Sequence, residues 1–328
     1  MPEFGAAATS EEVVEAFVDQ VRSRTFVITG AEQPCIGSSM AIALARGSPS
    51  HIILASKNPS RVNPVLASIR DVNPAVKVTF VQVDISDCAS VRSAANKILD
   101  VTGSVIDVLL NSAGNTGIKE YTVDDKASFD LQVFANQYGH FLLTNLLAPA
   151  LVAGAQKGGR RGSRVINLTC LGYRISPVHF DHYNFPNDKN YDLWTNYRQG
   201  KMTSIFFSIG LFQRLGSHGV SSFAAHPGSD PDTNAGANLV LEIYDAISEA
   251  AKRNSDVDPA FDKPRFKTYA QIGATPLIAA LDPELSSKSP GYLENNHLAQ
   301  LDAHVYNSDQ VEKHWKLSER LVHEEFTY

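Results

Sequence analysis

Apolar residues along the chain fall into two alternating rhythms. Short, nearly continuous runs of β-branched and aromatic residues stand at 25–29 (TFVIT), 51–55 (HIILA), 78–83 (VTFVQV), 106–111 (IDVLLN), 164–168 (RVINL) and 220–225 (VSSFAA). Runs without a polar face suit parallel strands covered on both sides. Between them the apolar spacing widens to a helical period at 38–45, 63–72, 90–101, about 129–152 and 195–215. A further helix is expected at 10–22, where Val13, Val14, Phe17 and Val21 share a face and Thr9 with Glu12 can form a capping box. Strands alternating with helices imply βαβ crossovers. A seventh short strand is expected around 292–293, so the fold class is α/β: a doubly wound, mostly parallel seven-stranded sheet of Rossmann type.

Two stretches break the rhythm. Residues 172–192 are polar and aromatic-rich, and 228–267 hold a predicted helix at 238–252 between Pro and Asp. Each follows a strand, and in such sheets the loops at strand carboxyl ends surround the ligand crevice. Both are read as substrate-side walls or a lid.

With 328 residues and 43% hydrophobic content the chain can bury a large core. No linker-like, repetitive or low-complexity stretch divides it, so one domain spanning 1–328 is expected. A net charge of −6 gives no reason to expect nucleic-acid binding. The basic group Lys157, Arg160, Arg161 and Arg164 is broken by glycines and reads as a solvated loop. Cys35, Cys88 and Cys170 form no CxxC pair, which fits a reducing compartment. No apolar run reaches the roughly 18 residues that a membrane helix requires. The N-terminus lacks the basic-then-apolar pattern of a signal peptide. A cytoplasmic location without membrane partners is expected. No metal site is expected, because the histidines do not cluster with cysteine or carboxylate at ligand spacing.

Candidate chemistry begins after the first strand. Thr29-Gly30-Ala31-Glu32-Gln33-Pro34-Cys35-Ile36-Gly37 leads into a helix, a strand–turn–helix that lets a pyrophosphate approach the backbone and the positive helix end. Gly30, Ile36 and Gly37 are the candidate contacts. At the end of the second strand, Ser56 and Lys57 stand where an NAD site would place a carboxylate, and Arg61 follows. A hydroxyl and a cation suit a 2′-phosphate, so NADP(H) is the expected cofactor.

Taken in order, the motifs from about residue 24 to 326 resemble the short-chain dehydrogenase/reductase family. The likeness is to its fungal branch, which is similar to retinol dehydrogenases and protochlorophyllide reductases. Val83-Asp84-Ile85 resembles the adenine-holding segment. Asn111-Ser112-Ala113-Gly114 stands where the family usually has Asn-Asn-Ala-Gly. Asn136-Gln137-Tyr138-Gly139-His140-Phe141 resembles the helix with the active-site asparagine. Tyr197-Arg198-Gln199-Gly200-Lys201 is an intact Tyr-x-x-x-Lys, and His226-Pro227-Gly228 with Thr233 resembles the nicotinamide-cupping segment. The resemblance implies cofactor contacts at Asp84, Ile85, Asn111, Ala113, Gly114, Tyr197, Lys201, Pro227, Gly228 and Thr233. It also implies that Lys201 holds the nicotinamide ribose, that Asn136 anchors a proton-relay water, and that the chain forms a homodimer. Residues four apart on a helix share a face, so the Lys201 ammonium can lower the phenol pKa of Tyr197, the acid/base for a C=O or CH–OH group.

Three departures mark this chain. Pro34-Cys35 replaces a Gly-Gly pair, and Ser112 replaces an asparagine. Cys170 stands at the position of the catalytic serine, and a thiol is a weaker donor to a substrate oxygen. Thr169, on the opposite strand face, is not expected to substitute. His179 can in principle pair with Cys170. The expected function is an NADPH-dependent carbonyl reductase or alcohol dehydrogenase acting on an apolar, natural-product-like small molecule, with Tyr173, Phe180, Tyr183, Phe185 and Trp194 around the crevice. The alternative is a repurposed cyclase, isomerase or lyase without net redox chemistry.

Overall fold

The apolar side chains that the strands and helices present are taken up on the two faces of one sheet. The computed structural model describes residues 2–114, 123–124, 129–130, 133–175, 178, 180, 193–230, 266–301, 305 and 307–328, leaving aside the side chains of 123–124, 129–130, 160, 175 and 193–198. In chain order the strands are β1 (Thr25–Thr29), β2 (His51–Ser56), β3 (Lys77–Gln82), β4 (Val108–Asn111), β5 (Val123–Asp124), β6 (Phe129–Asp130), β7 (Ser163–Leu168), β8 (Val220–Ala225), β9 (Gly291–Glu294) and β10 (His297–Ala299). The main sheet runs β10-β9-β8-β7-β4-β1-β2-β3, while β5 and β6 form a separate pair. All pairings in the main sheet are parallel except β9 with β10. The expected seven strands are therefore joined by an eighth, an antiparallel return made through Asn295 and Asn296, both at positive φ.

The helices are α1 (Ser10–Ala16), α2 (Val18–Val21), α3 (Ile36–Ala45), α4 (Pro59–Val72), α5 (Cys88–Thr102), α6 (Gly139–Leu146), α7 (Ala148–Gly158), α8 (Leu193–Leu215), α9 (Ala274–Leu281) and α10 (Ser308–Val322). The capping box exists as read: Glu12 N donates to Thr9 Oγ1 at 3.2 Å and Thr9 N to Glu12 Oε2 at 2.7 Å. Strand alternation divides the core. Phe26, Ile28, Ile52 and Leu54 pack with Val13, Met40, Leu44, Ile69 and Leu277 on one face. Val27, Ile53, Leu109 and Val165 pack with Ile98, Phe141, Phe207, Leu211 and Trp315 on the other. Helices on both faces make the sheet doubly wound.

The stretch expected as one helix over 129–152 holds four described pieces. Phe129 and Asp130 pair in the small sheet, a π-helical turn covers Phe134–Tyr138, and α6 and α7 meet at Leu147 with a 60° bend. Pro149 explains the bend: it has no N–H and is favoured in a helix's first turn, so it starts α7 rather than continuing α6. The predicted helix at 238–252, most of 172–192 and 228–267, and residues Thr233, His179, His182, Tyr183 and Phe185 lie outside the described residues. No single helix among the described residues is long and apolar enough to cross a membrane.

Candidate active site

Strand order reverses between β1 and β4, and a crevice opens beyond the carboxyl ends at such a switch point. Thr29 closes the floor of that crevice. Its hydroxyl oxygen accepts the amides of Ser112 (2.9 Å) and Ala113 (3.0 Å), and the Ser112 hydroxyl returns a bond to the Thr29 carbonyl. With both lone pairs taken, the Thr29 proton goes to His140 Nε2 at 2.9 Å, which leaves the Nδ1 proton facing the Asn136 carbonyl at 3.5 Å. Burial, and then the nearby Lys201, push the His140 pKa down to about 3, so the ring is neutral at ordinary pH.

The first loop needs its two glycines. Gly30 has φ +67°, and a Cβ there would sit 2.6 Å from the Ala113 Cα; a Cβ at Gly37 would sit 2.7 Å from the Gly30 carbonyl oxygen. Ile36 and Gly37 open α3, the helix end that favours a phosphate. The altered Pro34-Cys35 pair stands just before it, and the Cys35 amide donates to Ser38 Oγ at 3.1 Å. Ser38 Oγ also accepts from the Tyr269 phenol at 2.7 Å, so the 266–272 segment is tied to the first turn of α3.

Three of the expected site residues meet. A Cβ on Gly114 would lie 2.5 Å from Asn136 Oδ1 and 3.5 Å from Lys201 Nζ. Asn136 is in the π-helical turn, a conformation that concentrates at functional positions. Gly200 lets α8 approach it, since a Cβ there would be 3.1 Å from the Asn136 Cβ. Lys201 is buried, its Nζ reaching the Leu168 carbonyl at 3.4 Å. Burial lowers its pKa, and the Cys170 sulfur partly offsets this. Tyr197 lies on α8 one turn before Lys201; its side chain is outside the described set. Cys170 follows β7 and its sulfur accepts the Gly172 amide at 3.2 Å. The Thr169 hydroxyl donates to the Lys201 carbonyl at 2.7 Å and is turned toward α8.

Other expected residues are engaged differently. Asn111 Nδ2 donates to Thr144 Oγ1 (2.9 Å) and Asn167 Oδ1 (2.8 Å), and Asn167 Nδ2 to Ser208 Oγ (2.9 Å). This buried amide chain braces β4 and β7 against α6 and α8. Ser56 is buried and its hydroxyl accepts the Ala31 amide at 2.8 Å. Lys57 pairs with Asp84 at 2.7 Å. Burial raises the Asp84 pKa, but Lys57 and the hydroxyl and amide of Ser86 outweigh it, and the carboxyl ends below its ordinary value. The Ile85 carbonyl lies under Gly139, where a Cβ would come within 1.9 Å of it. Pro227 and Gly228 follow β8; Gly228 has φ +95°, and the Lys267 stem lies against it, 2.7 Å from where a Cβ would be.

Tyr173 is fully buried, with its ring edge against Tyr292, and so belongs to the core rather than to the crevice wall. Phe180 stacks on Phe206 at 6.4 Å. Ile205 and Phe206 on α8 are buried within the chain, while Ile209 and Phe212 are half-buried. No group of three metal-ligating side chains occurs among the described residues.

Sequence reasoning missed His140, Thr29 and Glu32. Glu32 Oε1 accepts the Asn58 amide at 2.9 Å, which puts a carboxylate beyond β2 after all. The signal for it is a carboxylate within the glycine loop itself, away from the β2 end where an acid is ordinarily expected.

A doubly wound sheet with a glycine-lined crevice at its switch point defines a Rossmann-type dinucleotide-binding protein. The family model described as short chain dehydrogenase matches residues 24–184. Retinol dehydrogenase 13 of Mus musculus is 32% identical over 305 residues, 92% of this chain and 84% of that protein. Its Homo sapiens counterpart is 34% identical over 208 residues, a match spanning 63% of this chain and 59% of the human protein. Among solved structures, a Mycobacterium paratuberculosis protein has TM-score 0.68 at 23% identity and full coverage of both chains. An NADH-dependent reductase in complex with NAD has TM-score 0.61 at 18% identity, covering 84% of this chain and 96% of that one. The chain belongs to the short-chain dehydrogenase family, whose members are oxidoreductases that use NAD(P)(H).

Proposed function

We propose that this protein reduces a ketone or aldehyde, or oxidises the corresponding alcohol, with Tyr197 as the proton donor and acceptor. The observation that carries the reading is the meeting of Gly114, Asn136 and Lys201 beside the switch-point crevice. The glycine cradle fits a dinucleotide: at Gly30 and Gly37 any side chain would collide with backbone that lines the crevice. Gly30, Ile36, Gly37, Ala113, Gly114, Pro227, Gly228 and Lys201 would hold it, with Asp84 and Ile85 at the adenine end. When bound, the nicotinamide supplies or accepts the hydride.

The protein's own part is to orient and to move a proton. Lys201, charged and buried, favours the phenolate form of a tyrosine one turn away, so Tyr197 gives up its proton to a carbonyl oxygen more readily. The Asn136 backbone, widened by the π turn and braced by neutral His140, anchors the outward end of the proton path. Cys170 stands in for a hydroxyl donor to the substrate oxygen, and its thiol stabilises the developing charge less well. The substrate is apolar and of natural-product size, a reading supported by the aromatic character of the sequence at Phe180, Tyr183, Phe185 and Trp194. Ser56 and Lys57 argued for NADP(H) in the sequence, whereas Glu32 argues for NAD(H) in the structure.

The test is turnover of a panel of apolar ketones and aldehydes with each dinucleotide, for the native chain and Tyr197→Phe. Loss of turnover in the variant with dinucleotide binding retained is expected; equal turnover by both proteins refutes the assignment. One observation favours the second reading, a cyclase, isomerase or lyase on the same scaffold: the thiol at 170 beside Lys201. Product formation without a change in nicotinamide absorbance would select it.

A further inference from the structure

The corner where β2 ends holds more charge than the reading above uses. Glu32 reaches it from the loop after β1. Its Oε1 accepts the Asn58 amide at 2.9 Å, its Oε2 accepts Asn58 Nδ2 at 3.3 Å, and Arg61 NH1 stands 3.8 Å from Oε2. The contact is a built one: the Glu32 side chain is only 13% exposed, and the Gln33 amide donates to the Arg61 carbonyl at 3.1 Å. One residue back, the Ala31 amide donates to Ser56 Oγ at 2.8 Å, so the loop and the β2 end are fastened at three successive residues. On the far side of the corner Lys57 is paired with Asp84 at 2.7 Å. Two carboxylates and two cations thus face each other with no net positive charge.

We propose that Glu32 selects the dinucleotide, holding the adenosine ribose through its 2′-hydroxyl and rejecting a 2′-phosphate, so that NAD(H) is the cofactor. This rests on the reading that the crevice binds a nicotinamide dinucleotide. A carboxylate offers about four acceptor sites; Asn58 occupies two of them and Arg61 stands at ion-pair distance, which leaves acceptor capacity for a ribose hydroxyl. A 2′-phosphate brings about two negative charges to the same place and has to displace Lys57 from Asp84 and Arg61 from Glu32 to find a cation. The neutral donor it would otherwise use, Ser56, is buried at 3% exposure and faces the Ala31 amide. An acid at the end of β2 normally makes this choice; here the acid comes from the neighbouring strand's loop and is held by the Asn58 amide just beyond β2.

The experiment is titration of the full chain with NADH and with NADPH, followed by fluorescence energy transfer from tryptophan, for the native protein, Glu32→Gln and Glu32→Ser, with thermal midpoints measured alongside. Gln keeps the shape and the bond from the Asn58 amide while removing the charge. NADH is expected to bind the native chain about tenfold or more tighter than NADPH, and both variants are expected to narrow that ratio by about tenfold or more, chiefly by tightening NADPH. A native preference for NADPH overturns the proposal, and so does an equal weakening of both dinucleotides, which is what a mere loop fastener would give. Failure of the native chain to bind either one overturns the dinucleotide reading itself, a result distinct from the other two.

Discussion

Replacing Gly114 by alanine tests whether the convergence at the site matters to chemistry. The new Cβ would stand 2.5 Å from Asn136 Oδ1, so that oxygen has to withdraw by about 0.9 Å to reach ordinary contact. It has little room, because Asn136 is buried at 3% exposure and Gly200 of α8 closes behind its Cβ. Overpacking of this kind costs about 1–3 kcal/mol, which in a chain of this size lowers the thermal midpoint by a few degrees. A misplacement near 1 Å in a reacting constellation costs about a hundredfold in rate. The expected outcome is therefore a folded protein with kcat down about a hundredfold and a modest stability loss. Steady-state kinetics, dinucleotide titration and calorimetry on the same preparation separate the two effects. Gly139→Ala is the contrast: its Cβ would meet the Ile85 carbonyl at 1.9 Å, a backbone atom that cannot swing away, so folding fails rather than turnover alone. Native kcat in Gly114→Ala, with the midpoint lowered, would show that the position of Asn136 has no bearing on the reaction.

Cys170→Ser restores a hydroxyl donor and is expected to raise carbonyl reduction by about tenfold or more; a fall in the native activity would mean that the thiol itself is used. His140 and His314 are both buried and held neutral with pKa values about 3, against 6.5 for a free histidine. Below pH 6.5 the unfolded chain takes up protons that the folded chain refuses, so this stability is complete above pH 6.5 and is lost as pH falls toward 3. The slope is about 1.4 kcal/mol per pH unit for each ring. Guanidinium unfolding at pH 7 and pH 5.5 should show the drop, His314→Gln should show less of it, and a pH-independent midpoint would contradict the account. Asn167→Leu takes one partner each from the buried Asn111 amide and the Ser208 hydroxyl, which keep Thr144 and the Ser204 carbonyl, and is expected to cost about 1–3 kcal/mol by chemical denaturation; native stability would mean that the lost bonds contribute nothing net.

How much of this was legible differs from feature to feature. The strands were readable because a sheet covered on both faces demands unbroken apolar runs, and the capping box because its two partners lie three residues apart. The bend at Leu147 has a signal in Pro149, but apolar periodicity runs through that residue and masks it. The eighth strand was not: three residues, two of them exposed, carry no hydrophobic pattern. At the site, the sequence spacing of Tyr197 and Lys201 placed them on one helix, yet their meeting with Asn136 depends on the packing of two helices 65 residues of chain apart. Glu32 and Asn58 are 26 residues apart and join only because β1 and β2 lie side by side. His140 lay inside a quoted motif, but nothing in the sequence shows that its ring spans from Thr29 to the Asn136 carbonyl.

The π-helical turn at Phe134–Tyr138 is one residue longer than the α-helical turn it replaces. Chain length is therefore negotiable at that point in a way it is not elsewhere in the helix. Deleting Gln137 would tighten the coil to the regular pitch while leaving Gly139 and everything after it in phase with the strand ends beneath. A change of one residue can be absorbed there without rebuilding the framework, and the toll would fall on the buried Asn136 carbonyl that His140 Nδ1 faces.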